Sequence, residues 1–201
     1  MLILNKNILT IGGNRLEGGH LTPPKPPTPP GPSFDEVTIG TQTWMSKNLD
    51  IDDGGEGIRV INNVLINNVD IGPQYYYTWD AAYRISNTIS GWHLPSKSEI
   101  ETLVTAVGGR PSCTKLKSTY GWESGKEGTD DYGFKAFGSG NINISNNNAL
   151  YNEGNHFYIW ESDTDTTGQH YYLDLDYTGW GTYTRKFNDS EEISVRLIKD
   201  T

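Results

Sequence analysis

The chain holds four histidines, His20, His93, His156 and His170, and one cysteine, Cys113, and none stands in an arrangement that catalysis uses. No His-Glu-x-x-His pair is present to grip zinc, and no Gly-x-Ser-x-Gly turn presents a nucleophilic serine. A lone cysteine forms neither an intramolecular disulfide nor a cysteine zinc site. Its ordinary role is that of a small buried apolar residue.

Chemistry of another kind is concentrated from Asp163 to Tyr183, in DTDTTGQHYYLDLDYTGWGTY. Tyrosine supplies rigid contact area, aspartate and threonine supply hydrogen bonds, and glycine supplies adaptability, a mixture suited to recognition. As a strand, this segment sets Tyr171, Leu173, Leu175 and Tyr177 on one face and Tyr172, Asp174 and Asp176 on the other. The polar face is expected in solvent. The candidate ligand-binding residues are Asp163, Asp165, Thr167, His170, Tyr172, Asp174, Asp176, Thr178 and Trp180. The plainer alternative is a solvated loop, strand and loop. Asp163-Thr-Asp165 and Asp174-Leu-Asp176 also bring carboxylates close together, as hard cations require. A calcium ion there is kept as an alternative, and no cofactor is expected.

The elements that must position these residues can be read from periodicity and turn chemistry. Glu36 to Ile39 and Gln42 to Met45 form a hairpin around Gly40-Thr41. The segment IRVINNVLINNVDIG carries Asn62-Asn63 and Asn67-Asn68, which mark turns between short strands. Tyr77 to Ser86 is a helix with Trp79, Ala82 and Tyr83 at the spacing of a buried face. Ser96 caps a second helix, Glu99 completes a capping box, and Ile100, Leu103, Val104 and Val107 share its inner face. Gly108-Gly109 ends it. Phe157 to Ser162 and Tyr171 to Tyr177 are strands, and Ile193 to Ile198 closes the fold. Asn143, Asn146, Asn147 and Asn148 form a polar turn flanking the same recognition face.

Composition bounds the rest. The chain of 201 residues with 34% hydrophobic content suits one domain plus an appendage. Residues 1–22 are an N-terminal docking arm, 23–33 a linker with seven of the ten prolines, and 34–201 the folded domain. The proline run favours extended polyproline II and cannot join a sheet. A net charge of −9 argues against a nucleic-acid partner, which needs clustered Lys and Arg. It equally disfavours an anionic membrane surface, and no segment is apolar enough to insert in a membrane. The opening MLILNKNILTIGG lacks the basic and sustained apolar regions of a secretory signal. Export by another route, assembly into a phage particle, or prior removal of a leader is therefore expected.

Three groups of segments carry a family resemblance in order and spacing. They are TIGTQTWMSKNL (Thr38 to Leu49), YYYTWDAAYRI with GWHLPSKSEIETL (Tyr75 to Ile85, Gly91 to Leu103), and FYIWESD with SVRLIKD (Phe157 to Asp163, Ser194 to Asp200). LKSTYGW and GFKAF add further matches. Over roughly residues 34 to 200 the chain resembles the Fibrobacter succinogenes major paralogous domain. That resemblance implies an α+β, C-type lectin-like fold, with two helices and a small mixed or antiparallel sheet, loop-rich and preceded by the arm. It implies that Glu36 to Ile39 pairs with Val195 to Ile198, and that Trp44, Trp92 and Trp160 are core. His93 lies inside a motif and is expected to be structural.

The resemblance also implies recognition in place of catalysis. Formylglycine-generating enzymes share the lectin-like fold but use two cysteines, and this chain has one. The Glu-Pro-Asn, Gln-Pro-Asp and Trp-Asn-Asp triplets of sugar-binding animal lectins are missing. Some family members are targets of diversity-generating retroelements, whose variable segment falls at Asp163 to Tyr183. The expected function is therefore non-enzymatic binding of a cell-surface protein or glycan by a phage or prophage receptor-binding protein or a surface adhesin. Such a protein is extracellular or virion-associated. Its arm would mediate homo-oligomer or virion assembly. The alternative is a structural assembly protein whose aromatic surface is buried against partner subunits. Exposure separates the two: a binding module leaves Tyr172, Asp174 and Asp176 in solvent.

Overall fold

The computed structural model describes residues 32–178, 181–187 and 190–201. The arm of residues 1–22, the linker of 23–33 apart from its last two residues, and Trp180 lie outside them. The described part is mixed helix and sheet, mostly short strands in open sheets with few helices. Among the described residues no helix is long and apolar enough to cross a membrane.

In chain order the elements are β1 (Glu36–Ile39), β2 (Gln42–Met45), β3 (Ile58–Ile61), β4 (Leu65–Ile66), β5 (Val69–Asp70) and β6 (Gln74–Tyr77). Then follow α1 (Trp79–Ser86), β7 (Trp92–His93), α2 (Lys97–Ala106) and a 3-10 turn (Arg110–Lys115). The second half is all strand: β8 (Asn141–Asn143), β9 (Ala149–Tyr151), β10 (His156–Thr164), β11 (His170–Asp176), β12 (Gly181–Phe187), β13 (Glu191–Glu192) and β14 (Ile198–Lys199). The sheets run β1-β2-β14-β7, β10-β11-β12 and β13-β8-β9, with two small hairpin-like pairs, β3-β6 and β4-β5. Asn67 and Asn68, at φ 50° and 59°, form the two-residue turn between β4 and β5. Asparagine tolerates that left-handed backbone where most residues do not.

The two ends of the described domain meet, but not through its first strand. Ile198 pairs with Trp44 of β2 on one side and His93 of β7 on the other, while β1 pairs only with β2. The expected pairing of Glu36 to Ile39 with the last strand is thus corrected by one strand. Burial explains it: Glu36 and Thr38 are exposed while Trp44 is fully buried. A strand covered on both faces takes the interior of a sheet and a half-exposed one takes the edge.

The second helix follows its sequence signals closely. The backbone N–H of Glu99 donates to Ser96 Oγ at 3.3 Å, and that of Ser96 donates to Glu99 Oε2 at 2.7 Å. Ile100, Leu103, Val104 and Val107 are buried, and the Gly109 N–H closes the C-terminus on the Val104 carbonyl at 2.8 Å. The first helix is shorter than expected. Thr78 is its N-cap, and its buried residues are Ala81, Ala82, Ile85 and Ser86, with Tyr83 46% exposed. Small side chains let this helix pack closely: a Cβ on Gly57, at φ +81°, would lie 2.3 Å from Thr78 Oγ1. Trp79 and Tyr83 instead stack on each other along the helix flank, at 5.0 Å.

The strands β10 and β11 divide the core. Phe157, Ile159, Leu173 and Leu175 join α2, Trp44, Trp122 and Phe134 on one side. Tyr158, Trp160 and Tyr172 join Tyr77, Ala81, Ile85, Val195 and Leu197 on the other. Trp44, Trp92 and Trp160 are buried, as expected. The indole N–H groups of Trp122 and Trp160 reach the carbonyls of Ala136 and Tyr77 at 2.9 and 2.7 Å. A buried indole needs such a partner.

Candidate functional site

An open cleft of about 480 Å³ lies where β8, β9 and β13 meet the sheet of β10 and β11. Four asparagines, one glutamate and four aromatic residues line it: Asn141, Asn143, Asn146, Asn152, Glu191, Tyr151, Tyr158, Tyr172 and Phe187. β13 pairs with β8, and β8 with β9, so Glu191 sits directly across from Asn143. That register builds the polar wall. Asn141 Nδ2 donates to Glu191 Oε2 and Asn143 Nδ2 to Glu191 Oε1, each at 2.7 Å. Asn152 Nδ2 donates to Asn141 Oδ1 at 2.8 Å, and the Asn146 backbone N–H donates to Asn143 Oδ1 at 2.9 Å. The Asn146 side-chain amide also meets the Tyr151 hydroxyl.

One carboxylate therefore fixes the rotamers of two amides, and the second amide fixes a turn. Burial pushes the Glu191 carboxyl above the usual carboxylate range, against the opposing pull of Asn141 and Asn143. The floor is aromatic. Tyr172 and Phe187 stack at 4.1 Å and 9° between planes, and Tyr158 meets both edge-on at 5.5 and 5.6 Å. Among the described residues the lining contains one acid and no histidine, cysteine, serine or threonine. General acid–base and nucleophilic chemistry need convergent titratable partners. What the cleft holds is a set of oriented amides beside an aromatic face.

The sequence-predicted residues are scattered by the same fold. Strand β11 spans seven residues, so its ends lie roughly 20 Å apart at strand rise. At one end, Asp165 Oδ1 accepts from the backbone N–H of Thr167 and Gln169, at 2.8 and 2.9 Å, and shapes the turn between β10 and β11. Asp163 and Thr167 are exposed there, and Asp163 Oδ2 accepts from the Lys97 N–H at the start of α2, at 2.6 Å. At the other end, exposed Thr178 donates through its hydroxyl to Asp176 Oδ1 at 2.5 Å. Trp180 lies outside the described residues.

The middle of the strand departs from expectation. Tyr172 is 3% exposed, Asp174 1% and His170 8%. The alternation of faces is as expected, but β11 is the central strand of its sheet, and the chain covers both faces. Tyr172 lies under Phe187, Asp174 Oδ1 bonds His156 Nδ1 at 2.8 Å, and His170 stacks on Trp79 at 4.1 Å. Only Asp176 of the three keeps partial exposure. Because the domain itself covers Tyr172 and Asp174, their burial gives no support to a partner subunit. Of the expected face, Tyr172 alone lines the cleft.

The polar turn of Asn143 and Asn146 does flank that strand's aromatic face, as expected. Asn141, Asn152 and Glu191 carry no signal in the sequence. Glu191 reaches the amides by pairing between segments about fifty residues apart, which no local periodicity encodes, and Asn152 joins through the β8–β9 hairpin.

Other charged groups serve the scaffold. His93 joins Glu99 at 2.8 Å and Asp200 at 2.6 Å, tying the C-terminal segment to α2. Burial would lower its pKa, but the two carboxylates leave it raised. Fully buried Arg196 lies 4.3 Å from the Phe134 ring and 5.3 Å from that of Phe157, donating to the Phe134 carbonyl and to Asn48 Oδ1. Desolvation lowers its pKa to about 9. Among the described residues no group of three or more His, Cys, Asp or Glu side chains is placed to hold a metal ion. The carboxylates of Asp163, Asp165 and Asp174 are each engaged by the contacts above.

The Fibrobacter succinogenes major domain family model matches residues 37–199. No curated protein and no solved structure matches the chain. The match covers most of the chain, which therefore belongs to the Fibrobacter succinogenes major domain family.

Proposed function

We propose that this member of the Fibrobacter succinogenes major domain family is a non-enzymatic ligand-binding protein with a C-type lectin-like scaffold. It acts as a receptor-binding or adhesin module, extracellular or carried on a virion. The observation that carries this reading is the amide-lined cleft, where Glu191 holds Asn141 and Asn143 in fixed orientations over an aromatic floor. Polar groups held by their neighbours lose little entropy on binding, which is the main benefit of a preorganised site.

The preferred setting is a phage or prophage target of a diversity-generating retroelement. Exposed Thr167 and Thr178 are positions where such change is tolerated at little cost to folding, unlike buried Tyr172 and Asp174. The direct test of function is saturable binding of the fluorescently labelled full chain to a panel of intact bacterial cells. Loss of that binding in Phe187→Ala, with a control Glu101→Ala on the outer face of α2 unaffected, is expected. Equal binding by both variants, or no saturable binding to any cell, refutes the reading. Sequencing the gene and its flanks across a natural population tests the setting separately: a near-copy template repeat is expected.

A further inference from the structure

We infer that the cleft between the β8–β9 hairpin and the β10–β11 sheet binds a neutral, polyhydroxylated ligand, a saccharide. This inference rests on the binding function proposed above and names its ligand class. It begins with hydrogen bonds left over. Each asparagine amide has two N–H donors and a carbonyl with two lone pairs. Asn141, Asn143 and Asn152 each spend one donor inside the network, on Glu191 or on Asn141 itself. Each thus keeps a second N–H in a side chain already held in place. The carbonyl of Asn152 accepts no bond within the network, and each Glu191 oxygen accepts a single amide there. The cleft presents fixed donors beside fixed acceptors. Hydroxyl groups, which donate and accept at once, match such a surface.

The floor supplies the second half of the match. Phe187 is half-buried and stacked flat on Tyr172 at 4.1 Å, so the ring is held rigidly where a ligand would rest. The C–H groups of a pyranose ring form an apolar face that packs on such an aromatic surface, while its hydroxyls reach the amides. Charge narrows the class further. Among the described residues the lining has one carboxylate and no Lys, Arg or His, which favours a neutral ligand over phosphate or acidic sugars.

A peptide fits less well. Peptide recognition takes its specificity and much of its affinity from apolar pockets for side chains. Among the described residues the lining contains no Leu, Ile, Val, Met or Ala. The open shape also suits a chain entering from solvent, with modest affinity at each site.

The test is the full-length chain on an array of immobilised neutral and acidic glycans, followed by titration calorimetry with the free neutral glycan that it retains. Retention of neutral glycans, and at least tenfold weaker binding by Asn152→Gly and Phe187→Ala, is the expected result. Asn152 has φ 62°, so glycine removes the amide without straining the backbone. Thermal melts of each variant separate loss of the site from loss of the fold. A glycan bound equally well by folded Asn152→Gly and Phe187→Ala overturns the inference. So does retention confined to acidic glycans. No glycan retained, with cells still bound and that binding abolished by Phe187→Ala, overturns the ligand class and leaves the binding function standing. Neither cells nor glycans bound overturns both.

Discussion

Glu161 gives the sharpest test of the physical reasoning. It lies on β10, is 0% exposed, and neither carboxylate oxygen has a hydrogen-bond partner. Desolvation raises its pKa from 4.5 to about 8; nearby Asp163 and Glu101 add to that, and Lys97 opposes it. The unfolded chain releases this proton near pH 4.5, and the folded chain holds it until about pH 8. The folded state therefore binds more protons between those values, and stability falls as pH rises through the window. Each pH unit costs about 1.4 kcal/mol, so the loss is about 3 kcal/mol at pH 7 and at most about 5 kcal/mol above pH 8. Glu161→Gln keeps the shape and removes the titration. Urea denaturation of both proteins from pH 4 to 9 isolates this site, because every other group titrates alike in the two. The variant should match the wild type near pH 4.5 and become progressively more stable, levelling off above pH 8. Parallel stability curves, or a variant that loses ground as pH rises, would refute the claim that a buried, unpaired carboxyl is held in its protonated form.

Two further outcomes follow from the core. Tyr172→Ala should destabilise the domain by about 3–5 kcal/mol in chemical denaturation, as truncation of a buried aromatic does, because Tyr172 is packed by Phe187, Tyr158 and Trp160. Replacing Arg196 by Met should cost about 1–3 kcal/mol in the same assay, since the buried Phe134 carbonyl and the half-buried Asn48 Oδ1 both lose their donor.

Much of the scaffold was legible because its signals are local. Ser96 and Glu99 are three residues apart, and the capping box they form depends on that spacing alone. The β1–β2 hairpin, the inner face of α2 and the buried tryptophans are of the same kind. The errors arose where tertiary context decides. Ala82 faces the core as its spacing implies, but nothing near Tyr83 in sequence reveals that Ala81, with less apolar area, would face the core in its place. The alternation along β11 was read correctly, but alternation does not tell whether a polar side meets water. Asp174 is buried because His156, eighteen residues away, supplies a partner on the neighbouring strand. The position of β14 was missed by one strand, because an edge and an interior strand of four residues differ only in how much of each is covered.

The cleft was hidden for a deeper reason, and the same reason bears on how it works. Its polar wall joins residues from β8, β13 and the turn after β9, and their register depends on pairing between distant segments. That pairing is anchored to the core. Ile142, between the two amides, is fully buried, and Ile193, next to Glu192, bridges Tyr77 through mutual backbone bonds of 2.8 and 3.0 Å. On the proposed reading, a ligand would meet amides whose positions are fixed when the domain folds. Removing one of them does more than delete a contact. Asn143→Ala would strip one oxygen of a carboxylate that is 8% exposed, leaving a buried acceptor unsatisfied at about 1–3 kcal/mol. The penalty falls on the free protein as well as on the complex. The cleanest variant for reading affinity is consequently Asn152→Gly, at the exposed end of the network.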